Sequence, residues 1–474
     1  MHSPLQDAHL FGDEVIDTPY GSVTLEHGYL TDESSMVVFD AMDFQRACQA
    51  YVWSTPLVSY ATWQAEENAA YSVGDFGTFA ILRSMKEKRG IVTGNLTTPY
   101  IFQFTDLEAG PLMLEYPAGP TAGAFIDAWQ RSTADLGLTG PDEGSGGTYI
   151  VVGPHDDPAD YESQADFVFR SATVNVGVGL RLLSPDPDFA KTFLGSIRMA
   201  RVGQPLEPCR FVQDVDQEWS ATAYRGLDYW KALHRMIDQE PVREQDKVWM
   251  AMLEPLGIKK GEPFDPDARQ KRILLEGAAF GELMARNLQV VPRFAEPYWP
   301  GTSWYKSFDF SMAQSTAYKV EIDERTTWFY EAVSATKGMV SPSVGKGQIY
   351  MTTKRDVDGN LLRADRTYRL SIPSDVPVAQ FWSLTLYSEN TRRAYENGGD
   401  SIEAVNLDSR MDQLVRNDDG SIDLFIGREA PAGMEPNFMA TVGTDGWFVY
   451  FRLYAPTEPF FDKSFSLPDF EIVD

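Results

Sequence analysis

Short alternating stretches of hydrophobic and polar positions, broken by Gly and Pro, run from residue 15 to 31 and predict an entry hairpin or strand pair. The period then changes. Met36, Val37, Phe39, Met42, Phe44, Ala47 and Tyr51 recur at helical spacing behind the polar start Thr31-Asp32-Glu33-Ser34, which predicts a helix from about residue 32. Pro56 is expected to end it, because proline removes a helical N–H and clashes with the preceding turn. Ile91-Val92-Thr93, Tyr100-Ile101-Phe102-Gln103-Phe104 and Leu112-Met113-Leu114-Glu115-Tyr116 read as strands, with a turn at Gly110-Pro111. Residues from about 121 to 136, carrying Asp127 and Trp129, read as a helical segment. The glycine-rich stretch 137–147 then leads into the strand Thr148-Tyr149-Ile150-Val151-Val152. It contains no Lys and precedes a strand rather than a helix, so it lacks the context of a phosphate-binding loop.

From residue 218 to 290 the period is helical again, with Tyr224, Leu227, Trp230, Leu233 and Met236 in one block and Ile273, Leu274, Ala278, Leu283 and Met284 in another. Asp265 before Pro266 is the expected cap of the second block. From about residue 315 the pattern turns to β structure. Asp358-Gly359 and Asp419-Gly420 mark hairpin turns, while 380–387 and 446–454 alternate as half-buried strands. The fold class that follows is α+β, mostly β: a first half of α+β character with antiparallel strands, a helical segment, and a C-terminal sandwich or jelly roll. The expected divisions are a β-rich domain with helices over 1–215, a helical connector over 216–310 and a jelly-roll-like domain over 311–474.

The chain has 474 residues, long enough for large cores, and its 13% aromatic content supplies bulk to fill them. A formal net charge of −28 argues against nucleic acid or an anionic membrane as partner, since both need a positive face. Two cysteines, Cys48 and Cys209, exclude a disulfide scaffold and are expected as free thiols. The histidines number five, and no two stand at zinc-ligand spacing. Asp356, Asp358 and Asn360 imitate the start of a calcium loop, but Thr367 stands where its closing Glu belongs, which predicts a plain turn. No apolar run approaches the roughly 20 residues that span a bilayer, and residues 1–7 carry neither a basic nor an apolar segment, so the sequence as written reads as cytoplasmic.

Several motifs carry a resemblance. In the N-terminal half they are Gly94-Asn95-Leu96-Thr97-Thr98-Pro99-Tyr100, Asp127-Ala128-Trp129-Gln130-Arg131, Gly140-Pro141-Asp142 and Gly146-Gly147-Thr148-Tyr149. In the connector they include Tyr224-Arg225-Gly226 and Leu256-Gly257-Ile258-Lys259-Lys260-Gly261-Glu262-Pro263-Phe264. In the C-terminal half they are Arg325-Thr326-Thr327-Trp328-Phe329-Tyr330, Phe381-Trp382-Ser383-Leu384-Thr385-Leu386-Tyr387 and Arg452-Leu453-Tyr454. The N-terminal part resembles domain-of-unknown-function family 1254 and the C-terminal part resembles family 1214. The resemblance implies architecture, two jelly-roll-type β domains joined by a helical segment, and no particular chemistry. The chain departs from the pairing at Asn437-Phe438 and at Gly153-Pro154-His155-Asp156-Asp157.

Three groups of residues could carry function. Asn95, Thr97, Thr98 and Tyr100 form a turn rich in amide and hydroxyl groups, able either to orient a polar ligand or to cap strand ends. Asp127 beside Trp129 offers a carboxylate that desolvation could make a base near neutral pH, or else a solvated acid next to a buried ring. Arg325, Trp328 and Tyr330, read as extended, together with Trp382 and Tyr387, offer an aromatic pocket with a cation, or else an aromatic core with a buried salt bridge. No Gly-x-Ser-x-Gly elbow occurs. The function expected is a cofactor-free enzyme of hydrolase or lyase type, acting on a small apolar or aromatic molecule in a cleft between the β domains. Asp127, Tyr100, Arg325 and Tyr330 would be catalytic, and Asn95, Thr98, Trp129, Trp328, Trp382 and Tyr387 would bind the ligand. The alternative is a non-catalytic small-ligand-binding or jelly-roll assembly protein, possible as a homo-oligomer.

Overall fold

The computed structural model describes residues 5, 7–213, 215–339, 343–397 and 405–473. The chain divides into two compact units, one made of residues 1–55 and 224–286, the other of 56–223 and 287–474.

In the first unit, strands Glu14–Thr18 and Gly21–Glu26 form the expected antiparallel hairpin, extended by Tyr29–Leu30. Helices Leu227–Gln239, Lys247–Leu253 and Ala268–Val290 give the connector its helical character. The last begins later than Asp265 predicts: Asp267 accepts from the Gln270 N–H at 2.8 Å and caps it. Tyr51 stacks on Tyr229 with centroids 4.1 Å apart, and Trp53 on Trp249 at 5.2 Å. The helix carrying Gly281 passes so close that a Cβ there would lie 2.5 Å from that of Tyr51.

The long helix Asp32–Tyr71 does not stop at Pro56. The hydroxyls of Ser54 and Thr55 bond the carbonyls of Ala50 and Tyr51 in the turn before it, at 2.7 and 3.0 Å. Nearly every residue around the proline is buried, so packing favours continuity over the local break.

The second unit holds two β-sandwiches. The first faces a six-stranded sheet, in the order Arg210–Val212, Thr78–Leu82, Tyr100–Asp106, Asn175–Leu182, Thr121–Asp127, Ser132–Gly137, against a five-stranded one. The latter runs Phe167–Arg170, Gly147–Val152, Leu112–Tyr116, Arg198–Arg201, Glu207–Pro208. Ile101, Phe125, Val178 and Leu180 meet Leu114, Tyr149, Val151 and Met199 between the sheets. The second sandwich faces a five-stranded sheet, Tyr305–Lys306, Gln348–Thr353, Trp447–Tyr454, Trp382–Ser388, Asn406–Asp408, against a four-stranded one. Met351, Leu384, Val449 and Phe451 pack on Leu370, Ile372, Leu424 and Ile426. The fold is therefore α+β, with paired sheets rather than a closed barrel.

Two segments differ from the pattern reading. Residues 121–136 are a β-hairpin, not a helix. The strand Thr121–Asp127 pairs along its length with Asn175–Leu182, and Gln130, at φ 61°, turns the chain into Ser132–Gly137. The ladder formed with a strand some 50 residues away outweighs a weak local period. Residues 322–331 are a helix, Ile322–Glu331, not an extended segment. All positions from Glu324 to Glu331 are buried, so hydrophobicity shows no period from which to recognise it. Ile91-Val92-Thr93 contributes only a single bridge, Val92 to Arg393, instead of a strand. The carboxylate of Asp356 accepts from the N–H groups of Asp358 and Asn360 at 3.1 and 2.8 Å, which makes that stretch a turn.

Candidate functional site

Side chains in a strand alternate between faces, and in both sandwiches the second face is also covered. In Trp447–Tyr454 the odd positions 447, 449, 451 and 453 fill the sandwich core. The even ones, Phe448, Tyr450, Arg452 and Tyr454, point away from it, as do Tyr350 and Tyr387 on the neighbouring strands. Helix Ile322–Glu331 packs on this outer face through Trp328 and Phe329. In the first sandwich, Phe102 and Phe104 project from the outer face of the six-stranded sheet and meet Trp63 of the long helix at 4.2 and 5.0 Å. Gly179 makes room for this arrangement, since a Cβ there would lie 2.5 Å from the Phe102 ring.

A partly enclosed cavity lies between these two outer faces, of about 120 Å3 as the volume open to the centres of water-sized spheres. Its walls are apolar and aromatic: Trp63, Phe102, Ala124, Ile126, Trp328 and Tyr350 among others. Its polar side includes Asn95, Tyr100, Arg181, Tyr450 and Arg452. Among the described residues, Arg181 and Arg452 are the only charged ones lining it, in a chain with 69 acidic residues.

Arg452 is 2% exposed. Its Nη1 donates to Thr385 Oγ1 at 2.9 Å, and its Nη2 donates to the Thr93 carbonyl at 2.9 Å and to the Tyr387 hydroxyl at 2.7 Å. Burial opposes its charge, but the hydroxyls of Tyr387, Tyr454, Tyr350 and Tyr100 outweigh that and hold its pKa above the usual arginine range. Thr93 presents its carbonyl from φ 41°, a left-handed conformation that a β-branched residue rarely adopts. That backbone is pinned from three sides: the Thr93 N–H donates to Arg392 O at 2.6 Å, its hydroxyl to Glu331 O at 2.8 Å, and Tyr387 Oη to Gly94 O at 2.7 Å. Arg181 lies 4.4 Å from the centre of the Tyr100 ring and donates to Thr98 Oγ1. Behind it the Lys88 ammonium, almost wholly buried, is pushed down to about 7, by burial first and Arg181 second, with Glu87 opposing.

Beyond the cavity wall, the Tyr450 hydroxyl donates to Glu331 Oε1 at 2.5 Å. Glu331 Oε2 pairs with Lys354 Nζ at 3.3 Å and accepts from Gln289. Burial, then the Glu331 charge, raises Tyr450 well above the ordinary tyrosine value. Glu331, Lys354 and Gln289 also line a second, smaller polar pocket. Tyr450 thus stands between the two.

Of the residues singled out from sequence, Tyr100, Asn95 and Trp328 line the cavity. Thr98 and Tyr387 do not line it but hold Arg181 and Arg452. Asn95 also serves the turn itself: its Oδ1 accepts from the Thr97 N–H at 2.9 Å, and its Nδ2 donates to Tyr454 Oη at 2.8 Å. The others lie elsewhere. Asp127 forms a buried ion pair with Arg131 at 2.6 Å. Arg325, fully buried, lies 5.1 Å from the centre of the Trp129 ring. Tyr330 lies beneath Arg392 at 4.1 Å. Trp382 belongs to the second sandwich core, stacked on Phe451 at 5.6 Å. Sequence reasoning missed Arg181, Arg452, Tyr350, Tyr450 and Trp63. The one available signal was a charge inside a largely apolar strand; parity puts Arg181 and Arg452 on the face away from the sandwich cores, where a solvent-facing arginine is the ordinary reading.

Comparison with known proteins agrees with the architecture. Residues 76–198 match the family model described as Protein of unknown function (DUF1254), and residues 347–458 match Protein of unknown function (DUF1214), in the order the sequence motifs imply. The fold is similar to the crystal structure of the VPA0106 protein from Vibrio parahaemolyticus, at 15% identity and a TM-score of 0.55, over 91% of this chain and 100% of that one. A putative uncharacterized protein from Burkholderia cenocepacia aligns over 93% of this chain and 97% of its own, at 9% identity and a TM-score of 0.40. No curated protein matches the chain. The chain therefore carries a segment matching each family model, and the cavity lies where the two matched regions meet: Tyr100, Ala124 and Arg181 fall in the first, Tyr350, Tyr450 and Arg452 in the second.

Proposed function

We propose that the cavity between the two sandwiches is a binding site for a small apolar or aromatic molecule. The observation that carries this reading is a concave, aromatic-walled space with a few converging polar groups, the usual form of a small-molecule site. Gly179 lets the Phe102 ring lie against the sheet, and Ala124 presents only a methyl group to the space. The test is titration of toluene with tryptophan fluorescence as readout, since Trp63 and Trp328 both line the cavity. Saturable quenching that disappears in Ala124→Phe, which fills the space, is the expected result. Quenching without saturation, or unchanged in the filled variant, would remove the site.

A second reading, an enzyme of hydrolase or lyase type without an organic cofactor, is favoured by one feature. Tyr450 lines the cavity and its hydroxyl is bonded to Glu331, which would offer a proton path between a ligand and a buried carboxylate. Tyr450→Phe would then abolish turnover while leaving ligand affinity within about threefold. The two free thiols, Cys48 buried and Cys209 half-buried, suit a reducing compartment such as the cytoplasm.

A further inference from the structure

Among the described residues no ion pair involves Arg181 or Arg452, and no Asp or Glu lines the cavity. Three of the N–H donors of Arg452 are engaged by neutral oxygens, and its Nε, like that of Arg181, has no hydrogen-bond partner. A buried guanidinium with free donors is costly unless an anion completes it. Arg392 shows the contrast. It too is buried, but it lies against the Tyr330 ring, donates to the carbonyls of Tyr330 and Asn390, and does not line the cavity. Arg452 instead is held by Thr385, Thr93 and Tyr387 at its edge.

Resting on the binding-site reading above, we propose that the ligand is an organic monocarboxylate with a flat apolar body. Its carboxylate would meet Arg452, with Arg181 as the second cation, and its body would lie against Trp63, Phe102 and Trp328. The opposition is chemical: Arg181 lies 4.4 Å from the centre of the Tyr100 ring and Arg452 5.2 Å from that of Tyr350, a ring on which both charges act, while most of the remaining lining is apolar. A doubly charged inorganic anion would satisfy the arginines and leave the apolar lining without a partner. A neutral ring would do the reverse.

The experiment compares benzoate, benzamide and inorganic phosphate by isothermal titration on the full chain. Benzoate is expected to bind at least about tenfold more tightly than benzamide, and phosphate far more weakly than benzoate. Arg452→Met should weaken benzoate by about tenfold or more while leaving benzamide within about twofold. Arg181→Gln, at a less buried position, should give a smaller loss in the same direction and guards against a variant that fails to fold. Equal binding of benzoate and benzamide, unmoved by either variant, would overturn the carboxylate assignment and leave the apolar site intact. Phosphate binding as tightly as benzoate would overturn the apolar half of the proposal. If neither benzoate nor benzamide binds at millimolar concentration, both this inference and the binding-site reading fall.

Discussion

Glu67 is a carboxylate placed where its charge is unwelcome. It is fully buried, its Oε2 accepts from Trp63 Nε1 at 2.8 Å, and its Oε1 has no partner. Burial pushes its pKa from 4.5 up to about 8, against the smaller opposing effect of the Trp63 bond. The folded value exceeds the unfolded one, so its contribution to stability is complete below about pH 4.5 and is lost as pH rises through about 8. Glu67→Gln keeps an acceptor for Trp63 and removes the titration. Its melting temperature should therefore gain on the parent's steadily between pH 5 and pH 8, as differential scanning calorimetry would measure; parallel curves would refute the neutral buried acid. Asp127 is the opposite case, a buried carboxylate already neutralised by Arg131 and outside the cavity. Asp127→Ala should cost roughly 2–4 kcal/mol in denaturant unfolding, by stranding Arg131, while benzoate affinity stays as it was.

Among the elements, strand Asn175–Leu182 serves both faces at once. Val176, Val178 and Leu180 enter the sandwich core, while Gly177 and Gly179 lie under Phe102 and Arg181 reaches the cavity. Gly179→Ala would place a methyl 2.5 Å from Phe102, so the ring must move. We expect a loss of about 1–3 kcal/mol from overpacking together with weaker binding of ring ligands; unaltered binding would mean that Phe102 does not shape the cavity. Strands such as this one were legible from alternation, and so were the turns at Gly359 and Gly420. The hairpin at 121–137 and the helix Ile322–Glu331 were not. The helix is buried throughout Glu324–Glu331, which erases the contrast between faces on which pattern reading depends, and the hairpin is buried over most of its length with its pairing partner some 50 residues away.

For the molecule as a whole, the matched halves are joined by more than the chain. Arg452 bonds the Thr93 carbonyl, Tyr387 that of Gly94, and Tyr454 the Asn95 amide. Residues 311–474 expressed alone would bare Tyr350, Tyr450, Trp328 and an unanswered Arg452. That fragment should aggregate or bind a hydrophobic dye strongly, where the full chain does not. A soluble fragment with native-like tertiary signals would show that the outer face is stable by itself.

The sequence by itself determined the class of structure: a helical stretch, two β-rich regions and the turns that punctuate them. These depend on local periodicity and on Gly and Asp at positions where the backbone demands them. It also singled out Tyr100, Asn95 and Trp328, which line the cavity, because clustered amide, hydroxyl and aromatic side chains are conspicuous even where the element that carries them is misread. Only the tertiary structure decided that Arg181 and Arg452, which lie 271 positions apart in the chain, line one cavity with no carboxylate among its described lining residues. Whether a charge is answered depends on what folds against it, and that is a property of distance in space, which no spacing along the chain records.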